Sequence, residues 1–278
     1  MYSLNDLFIP DSWLYLVVFL FGVIIGSFLN VYIYRFHTGK SLAGHSHCLS
    51  CGTRLTWYEL FPLLSYLGLR GRCRTCNCRI TPRYFLVELM TGLLFALSLT
   101  LTKELWWLLL LCLTMSVLVV ITVYDFYHFI IPDALTFALT VLAGLILTYK
   151  YTLVVFNLEQ IFWSVVTALG ASGFFLLLWL VSKGQWLGFG DVKLAFPLGL
   201  LVGPAAVFSF VVVSFWVGAA ISLSILGWGR MKRGKASLHL PSRDLTMKSA
   251  VPFAPFLIIS CLIILFTNFN ALDLFSFI

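Results

Sequence analysis

Gly-Phe-Gly-Asp-Val-Lys, residues 188–193, is a short charged stretch that separates two long apolar segments of the chain. It places the carboxylate of Asp191 two residues before the ammonium of Lys193, in a sequence that is only 10% charged. An ionisable group at the mouth of a membrane segment is energetically costly, and it therefore predicts a functional site. Gly188 and Gly190 permit a close backbone approach that a side chain would block. The structural alternative is that Asp191 is simply an N-cap, a common position for aspartate.

The apolar content of the sequence predicts a membrane protein with several spans. Of the 278 residues, 61% are hydrophobic, and the mean hydropathy is +1.00. Several apolar runs reach the roughly 20 residues that a helix needs to cross a bilayer. We therefore predict an all-α polytopic protein with about eight transmembrane helices and a small zinc-binding loop domain. The predicted spans are residues 13–34, 84–102, 105–124, 132–148, 161–181, 192–202, 205–228 and 251–268.

Basic residues predict the orientation of these spans. Sixteen of the eighteen Lys and Arg residues fall at loops or interfaces that eight spans would place on one side. By the positive-inside rule this side is cytoplasmic, which puts the N-terminus outside. The net charge of +7 would also be compatible with nucleic-acid binding, for which loop 229–249 is the candidate. Because the basic residues lie where the predicted topology places cytoplasmic loops, we expect no nucleic-acid partner. Three predicted domains follow: 1–35 as the first transmembrane helix, 36–83 as a cytoplasmic loop domain, and 84–278 as a multi-span domain.

Two C-x2-C pairs in the 36–83 loop predict a tetrahedral zinc site. The pairs are Cys48 with Cys51 and Cys73 with Cys76, and 21 residues separate them. Each pair can present two thiolates from a tight turn, and four thiolates close a structural zinc site. A cytoplasmic loop disfavours disulfides, and a thioredoxin-like redox role lacks its βαβ context. Three other residues lie within reach and stay open as replacement ligands: His45, His47 and Cys78.

Aspartates at the predicted cytoplasmic ends of the spans indicate a catalytic pair. Asp125 ends one span, Asp191 begins another, and Asp133 lies at a helix entry on the same face. Two carboxyl groups brought close together share a proton, so that one can activate water while the other polarises a peptide carbonyl. That is aspartic peptidase chemistry. Lys193 would not face Asp191 on a regular helix, and it can equally be an interfacial anchor.

Several motifs together resemble one family over almost the whole chain. The matching segments, in order, are residues 26–31 with Arg35, the cysteine pairs, 57–67, 70–72, 83–84, 87–89, Asp125 with 131–133, the Gly-Phe-Gly-Asp stretch and 251–256. In these features the chain resembles the type IV prepilin peptidases, which are GxGD aspartic proteases of bacterial membranes. Cys78 stands where the family pattern has no cysteine.

The resemblance implies two activities in the bacterial inner membrane. One is cleavage of the basic leader from prepilins or pseudopilins, with Asp125 and Asp191 as the catalytic residues. The other is N-methylation of the new N-terminus from S-adenosylmethionine. The implied partners are these substrates and the pilus, competence or type II secretion machinery. We predict that Asp133 supports catalysis, as do the two glycines and the lysine of the 188–193 stretch.

The methyl donor is predicted to bind near Gly71 and Glu88, on the cytoplasmic side. Glu88 is an acid in an otherwise apolar segment and could receive the new ammonium of the substrate. A folding role for Glu88 is the alternative. Small residues around Gly26 also have a structural explanation, because they let helices pack closely.

Two other functions compete with the peptidase. The chain could be a non-catalytic membrane scaffold whose zinc ribbon docks a pilus or secretion partner, or it could be a transporter. A scaffold would not need Asp125 and Asp191, and both are present. A transporter is disfavoured because its ionisable residues would lie at the midplane, whereas those of this chain cluster at one face.

Overall fold

The computed structural model describes residues 4, 10–36, 41, 44–154, 157–233 and 252–271. These residues fold as helices and connecting loops without a strand, and they form two compact units, Met1–Val123 and Tyr124–Ile278. Residues 234–249 of the predicted basic loop lie outside the described part of the chain. The predicted domain boundaries after residues 35 and 83 remain predictions.

The described residues contain nine α-helices and two short helices of other types. The α-helices are α1 Asp11–Arg35, α2 Leu64–Gly68, α3 Arg83–Ser98, α4 Leu105–His128, α5 Asp133–Thr148, α6 Leu158–Val181, α7 Phe189–Val202, α8 Val207–Arg233 and α9 Ala254–Thr267. The others are a 3₁₀ helix, Trp57–Leu60, and a π-helical segment, Tyr149–Val154.

Every predicted span coincides with a helix, which confirms the all-α polytopic class. Within the described residues, five helices are long and apolar enough to cross a membrane: α1, α4, α5 with the turn after it, α6 and α8. The remaining three, α3, α7 and α9, contain 16, 14 and 14 residues. Fourteen helical residues rise about 21 Å, less than the roughly 30 Å of a hydrocarbon core. A total of eight complete spans therefore remains a prediction.

In the first unit, α1 and α3 pack closely because glycines line their contact. A Cβ atom placed on Gly26 would lie 2.8 Å from the Cα of Glu88. One placed on Gly92 would lie 2.6 Å from a methyl group of Val23. Such contacts allow no side chain, as expected where small residues bring two membrane helices together. The packing explanation for Gly26 therefore holds.

In the second unit, α7 is the central helix and packs against α5, α6, α8 and α9. Leu194 and Leu198 on α7 are fully buried. Gly199 lets the helix approach α6, since a Cβ there would lie 3.0 Å from the Cα of Ala168. The helix ends at Val202, where the predicted span 192–202 also ends, and Gly203 follows it with a φ of 85° that suits glycine. The helices around α7 hold its first turn, and hence Asp191, in a fixed place.

Candidate active site and metal centre

Asp125 and Asp191 lie together in the second unit as a buried pair. Asp125 is in the last turn of α4, and Asp191 is in the first turn of α7. Their exposed fractions are only 5% and 6%, and their carboxyl groups are close enough for the charge of Asp125 to act on Asp191. A buried pair of like charges favours a state in which one proton is shared. Residues that are 66 positions apart in sequence thus form an arrangement capable of general acid–base chemistry.

The start of α7 orients Asp191 through its own backbone. The N–H of Gly188 donates a hydrogen bond of 3.1 Å to Oδ2 of Asp191, and the N–H of Asp191 donates to the carbonyl of Gly188, also at 3.1 Å. This is half of a capping box, and a carboxylate is also favoured near the positive end of a helix. Gly188 is therefore the N-cap and Asp191 is the third residue of the helix, so the prediction that Asp191 is itself the N-cap is wrong. The Asp191 carboxylate still caps the N–H of Gly188, and this contact is compatible with its interaction with Asp125.

Both glycines of the 188–193 stretch lie where an added Cβ would crowd a neighbouring side chain. A Cβ on Gly188 would lie 3.3 Å from Oδ2 of Asp191. A Cβ on Gly190 would lie 3.1 Å from the Cβ of Ile131, in the loop that follows Asp125 and α4. Gly190 therefore allows the first turn of α7 to pack directly on the segment next to the other aspartate.

The surroundings of Asp125 include a group that the sequence did not reveal. The backbone of Ala254, at the start of α9, forms a hydrogen-bonding interaction with the Asp125 carboxylate. The Oδ2 atom of Asp125 is buried and has no hydrogen-bond partner among the described residues. An unsatisfied buried carboxylate oxygen is unusual in folded proteins and is typical of functional sites. Ala254 belongs to the 251–256 motif, but only the fold brings it to Asp125.

Asp133 and Lys193 form an exposed ion pair outside the buried aspartates. The Nζ atom of Lys193 lies 2.7 Å from Oδ1 of Asp133, and their side chains are 40% and 76% exposed. The pair connects the first turns of α5 and α7. Exposed ion pairs contribute only about 0–1 kcal/mol, so this contact can orient the two helices but adds little stability.

Four cysteines of the first unit form a cluster that can hold a metal ion. Their Sγ atoms all lie within 4.8 Å of one another: Cys48, Cys73, Cys76 and Cys78. Three of them were predicted ligands, whereas Cys78 replaces Cys51 in this set. Neither His45 nor His47 belongs to the cluster. Four thiols at such distances suit tetrahedral coordination.

Two similar turns present these thiols. In the first, the N–H of Cys48 donates to Thr53 O and the N–H of Gly52 donates to Cys48 O, each at 2.9 Å. In the second, the N–H of Cys73 donates to Cys78 O and the N–H of Asn77 donates to Cys73 O, again at 2.9 Å. The turns therefore correspond position by position, with Cys78 equivalent to Thr53.

Cys51 lies at the edge of the cluster. Its Sγ is 3.3 Å from Oγ1 of Thr53, and it also interacts with the thiols of Cys48 and Cys76. Hydrogen bonding with Thr53 lowers the pKa of the Cys51 thiol to about 6. The predicted fourth ligand is thus adjacent to the cluster without being part of its tightest set, and its role stays a prediction.

Glu88 of α3 borders a cavity of about 690 Å³ in the first unit. The backbone N–H of Leu63 donates a 2.8 Å hydrogen bond to Oε2 of Glu88, and the Ser27 hydroxyl also interacts with this carboxylate. Leu63 has a φ of 58°, a costly backbone conformation for leucine. Glu88 therefore stabilises the strained entry to α2 while its carboxylate lines the cavity, together with Asn30.

Gly71 borders a separate, more open pocket. This pocket is lined by Arg70, Arg72 and neighbouring residues, and it does not include Glu88. Gly71 has a φ of 65°, and a Cβ there would lie 2.8 Å from Oη of Tyr66. Tyr66, Arg79, Ile80 and Thr81 line both pockets, and Tyr66 is the one of these that an added Cβ on Gly71 would touch.

Two family models match the chain. The model described as bacterial peptidase A24 N-terminal domain matches residues 20–102, and the model described as type IV leader peptidase family matches residues 112–223. The first match contains the cysteine cluster and Glu88, and the second contains both buried aspartates. No solved structure matches the chain significantly.

Relatives with matching sequences are named prepilin leader peptidase/N-methyltransferase. The relative from Dickeya chrysanthemi is 32% identical over 282 residues, covering 90% of this chain and 91% of the relative. The relative from Aeromonas hydrophila is 35% identical over 249 residues, covering 77% and 82%. The relative from Myxococcus xanthus is 35% identical over 215 residues, and the match spans 77% of this chain but 64% of that protein. As its sequence motifs predicted, the chain belongs to the type IV leader peptidase family.

Proposed function

We propose that this chain cleaves the basic leader of type IV prepilins or pseudopilins and methylates the N-terminus that cleavage exposes. The observation that carries the peptidase half is the buried pair of Asp125 and Asp191. The family membership and the names of the relatives support both activities. A non-catalytic scaffold would have no use for two buried carboxyl groups, which are costly to fold.

The two carboxyl groups have complementary roles in this peptidase. The ionised member takes a proton from water as the water oxygen attacks the scissile carbonyl carbon. The protonated member donates a hydrogen bond to the carbonyl oxygen and stabilises the charge that develops there. When the tetrahedral intermediate collapses, the C–N bond breaks and the leaving amine receives a proton from the pair.

The site is proposed to act at the cytoplasmic face of the inner membrane. The apolar helices and the family identify a multi-pass inner-membrane protein. A basic leader stays in the cytoplasm while the apolar helix of the substrate lies in the bilayer, so the scissile bond is expected at the interface. The N-terminus outside, and docking to pilus, competence or type II secretion machinery, belong to this proposal.

Methyl transfer is proposed to use the cavity beside Glu88. Its volume of about 690 Å³ is in the range of small-molecule sites, which suits S-adenosylmethionine. The carboxylate of Glu88 can hold the new substrate ammonium through a charge-assisted hydrogen bond. Gly71 would contribute indirectly, through Tyr66 on the shared wall of the two pockets.

The cysteine cluster is proposed to bind one structural zinc ion. The described part of the loop around it contains only two short helices, Trp57–Leu60 and Leu64–Gly68, so coordination would supply folding energy that the loop lacks. Metal analysis of the purified protein should find about one zinc per chain. Chelation should unfold this loop.

One incubation tests both proposed activities. Purified protein in detergent is mixed with a prepilin and S-adenosylmethionine, and the products are analysed by mass spectrometry. We expect a product that lacks the leader and a second product that also carries one methyl group. An intact prepilin would exclude the peptidase, and cleavage without methylation would exclude only the second activity.

A further inference from the structure

The metal-binding loop contains five cysteines, one more than a tetrahedral site uses. Zinc–thiolate bonds of about 2.3 Å place the sulfur atoms of a tetrahedral site roughly 3.8 Å apart. The Sγ of Cys48 lies 3.8 Å from that of Cys76 and 3.6 Å from that of Cys78. Cys78 therefore already has the spacing of a ligand.

The correspondence between the two turns explains why Cys78 faces the cluster. Cys78 occupies the position that Thr53 occupies in the first turn, and Thr53 points its hydroxyl at the Cys51 thiol. A side chain at this position is therefore directed toward the thiols in both turns. Cys78 also interacts with the Ser50 side chain of the opposite turn, which places it between the two.

Cys51 and Cys78 are near the same two thiols. The Sγ of Cys78 lies 3.6 Å from that of Cys48 and within 4.8 Å of that of Cys76, and the Cys51 thiol interacts electrostatically with the same two thiols from the edge of the cluster. Cys73 completes the cluster. The thiols of Cys48, Cys73 and Cys76 are thus common to both possible metal sites, and either Cys51 or Cys78 can supply the fourth ligand.

We propose that Cys78 is a metal ligand that alternates with Cys51 at the fourth coordination position. In each exchange the incoming thiol loses its proton and bonds the metal, while the outgoing thiolate leaves and takes up a proton, so the charge of the four-thiolate site is unchanged. The loop therefore always has one free thiol, located on either Cys51 or Cys78. This inference rests on the proposed metal site, and the experiments separate the two.

Alkylation of the zinc-loaded, full-length protein tests the alternation directly. A thiol-alkylating reagent is added for a short, fixed time so that each molecule reacts about once in the loop, and the labelled positions are mapped by mass spectrometry. We expect one label in the loop, divided between Cys51 and Cys78 and never present on both in one molecule. Cys112 and Cys261 serve as internal controls because both are buried within helices.

Two labelling patterns would overturn the alternation. Label confined to Cys78 would make Cys51 the permanent ligand, and label confined to Cys51 would make Cys78 the permanent ligand. Equal labelling of all five loop cysteines would instead show that the proposed metal site itself is wrong.

Cobalt substitution gives an independent test, because the visible absorption of Co²⁺ reports the number of bound thiolates. Cys51→Ser and Cys78→Ser should each keep one metal and a four-thiolate spectrum, whereas the double variant should lose one thiolate. Cys48→Ser is the matched control. It retains four loop cysteines but should also lose one thiolate, because Cys51 and Cys78 compete for a single coordination position and cannot both bind the metal. Loss of a thiolate in Cys51→Ser alone, or a four-thiolate spectrum in Cys48→Ser, would contradict the proposal.

Discussion

At the scale of single residues, the site depends on close contacts that an added side chain would crowd. The 188–193 stretch could be recognised from sequence because a charged, glycine-rich break between apolar segments is rare. The contact of Ile131 with Gly190 and that of Ala254 with Asp125 could not be recognised from sequence, because each joins parts of the chain that are far apart in sequence. Cys78 was similarly an open alternative until the two turns were seen to correspond.

Replacing Gly190 by alanine should impair the peptidase. The added Cβ would lie 3.1 Å from Ile131 Cβ, and overpacking of this kind costs about 1–3 kcal/mol. We expect lower cleavage activity and a lower thermal unfolding temperature, with partial recovery in Gly190→Ala combined with Ile131→Ala. Gly144→Ala is the control, because nothing lies within 4 Å of a Cβ there. Similar effects of the two glycine substitutions would show that the contact with Ile131 is unimportant.

Replacing Glu88 by glutamine should separate methylation from cleavage. Glutamine keeps an oxygen that can accept from the N–H of Leu63, so the fold is preserved while the charge is lost. Methylation should fall about 10- to 100-fold, as expected for loss of a charge-assisted hydrogen bond, and cleavage should stay near the parental rate. Glu159→Gln, which removes an exposed acid of α6 that does not line this cavity, should leave both activities unchanged. Equal loss of cleavage and methylation would assign Glu88 to folding.

At the scale of helices, close packing determines where the functional turns lie. Hydropathy was sufficient to locate each long helix, because burial in a bilayer requires a continuous apolar run. It did not reveal that α7 is central to the second unit, or that three helices are shorter than a full span. These properties depend on which helices pack together, and hydropathy contains no such information.

The contact between α1 and α3 should tolerate no side chain at Gly26. A Cβ would lie 2.8 Å from backbone of the opposing helix, which cannot rotate away. We expect Gly26→Ala to lower the thermal unfolding temperature, with a cost of about 1–3 kcal/mol from overpacking. Gly170→Ala, at an open position on α6, is the control. An unchanged unfolding temperature for Gly26→Ala would contradict the packing described for this unit.

At the scale of the whole molecule, the number of spans determines on which side of the membrane each end lies. Eight spans place both ends on the same side, whereas the five long helices alone would place them on opposite sides. The distribution of Lys and Arg predicts that this shared side is the outer one. The position of short helices in a bilayer depends on neighbouring helices, so hydropathy alone could not decide the number.

A topology reporter distinguishes the two counts. Alkaline phosphatase, which is active only outside the cytoplasm, is fused after residue 278, and a fusion after Gly44 is the control. We expect an active C-terminal fusion and an inactive control. An inactive fusion after residue 278, with normal expression, would rule out eight spans with the N-terminus outside.

The central claim is that Asp125 and Asp191 together cleave the peptide bond, and asparagine substitution tests it most directly. Asparagine preserves size and hydrogen bonding but removes proton transfer, which is worth at least about 100-fold in rate. The measurement is kcat for prepilin cleavage by Asp125→Asn, Asp191→Asn and the control Asp11→Asn, whose exposed side chain pairs with Lys103, far in sequence from both catalytic aspartates. Turnover should be lost in the first two variants and stay near the parental rate in the third. Near-parental turnover by Asp125→Asn or Asp191→Asn, at normal expression and membrane insertion, would contradict the assignment.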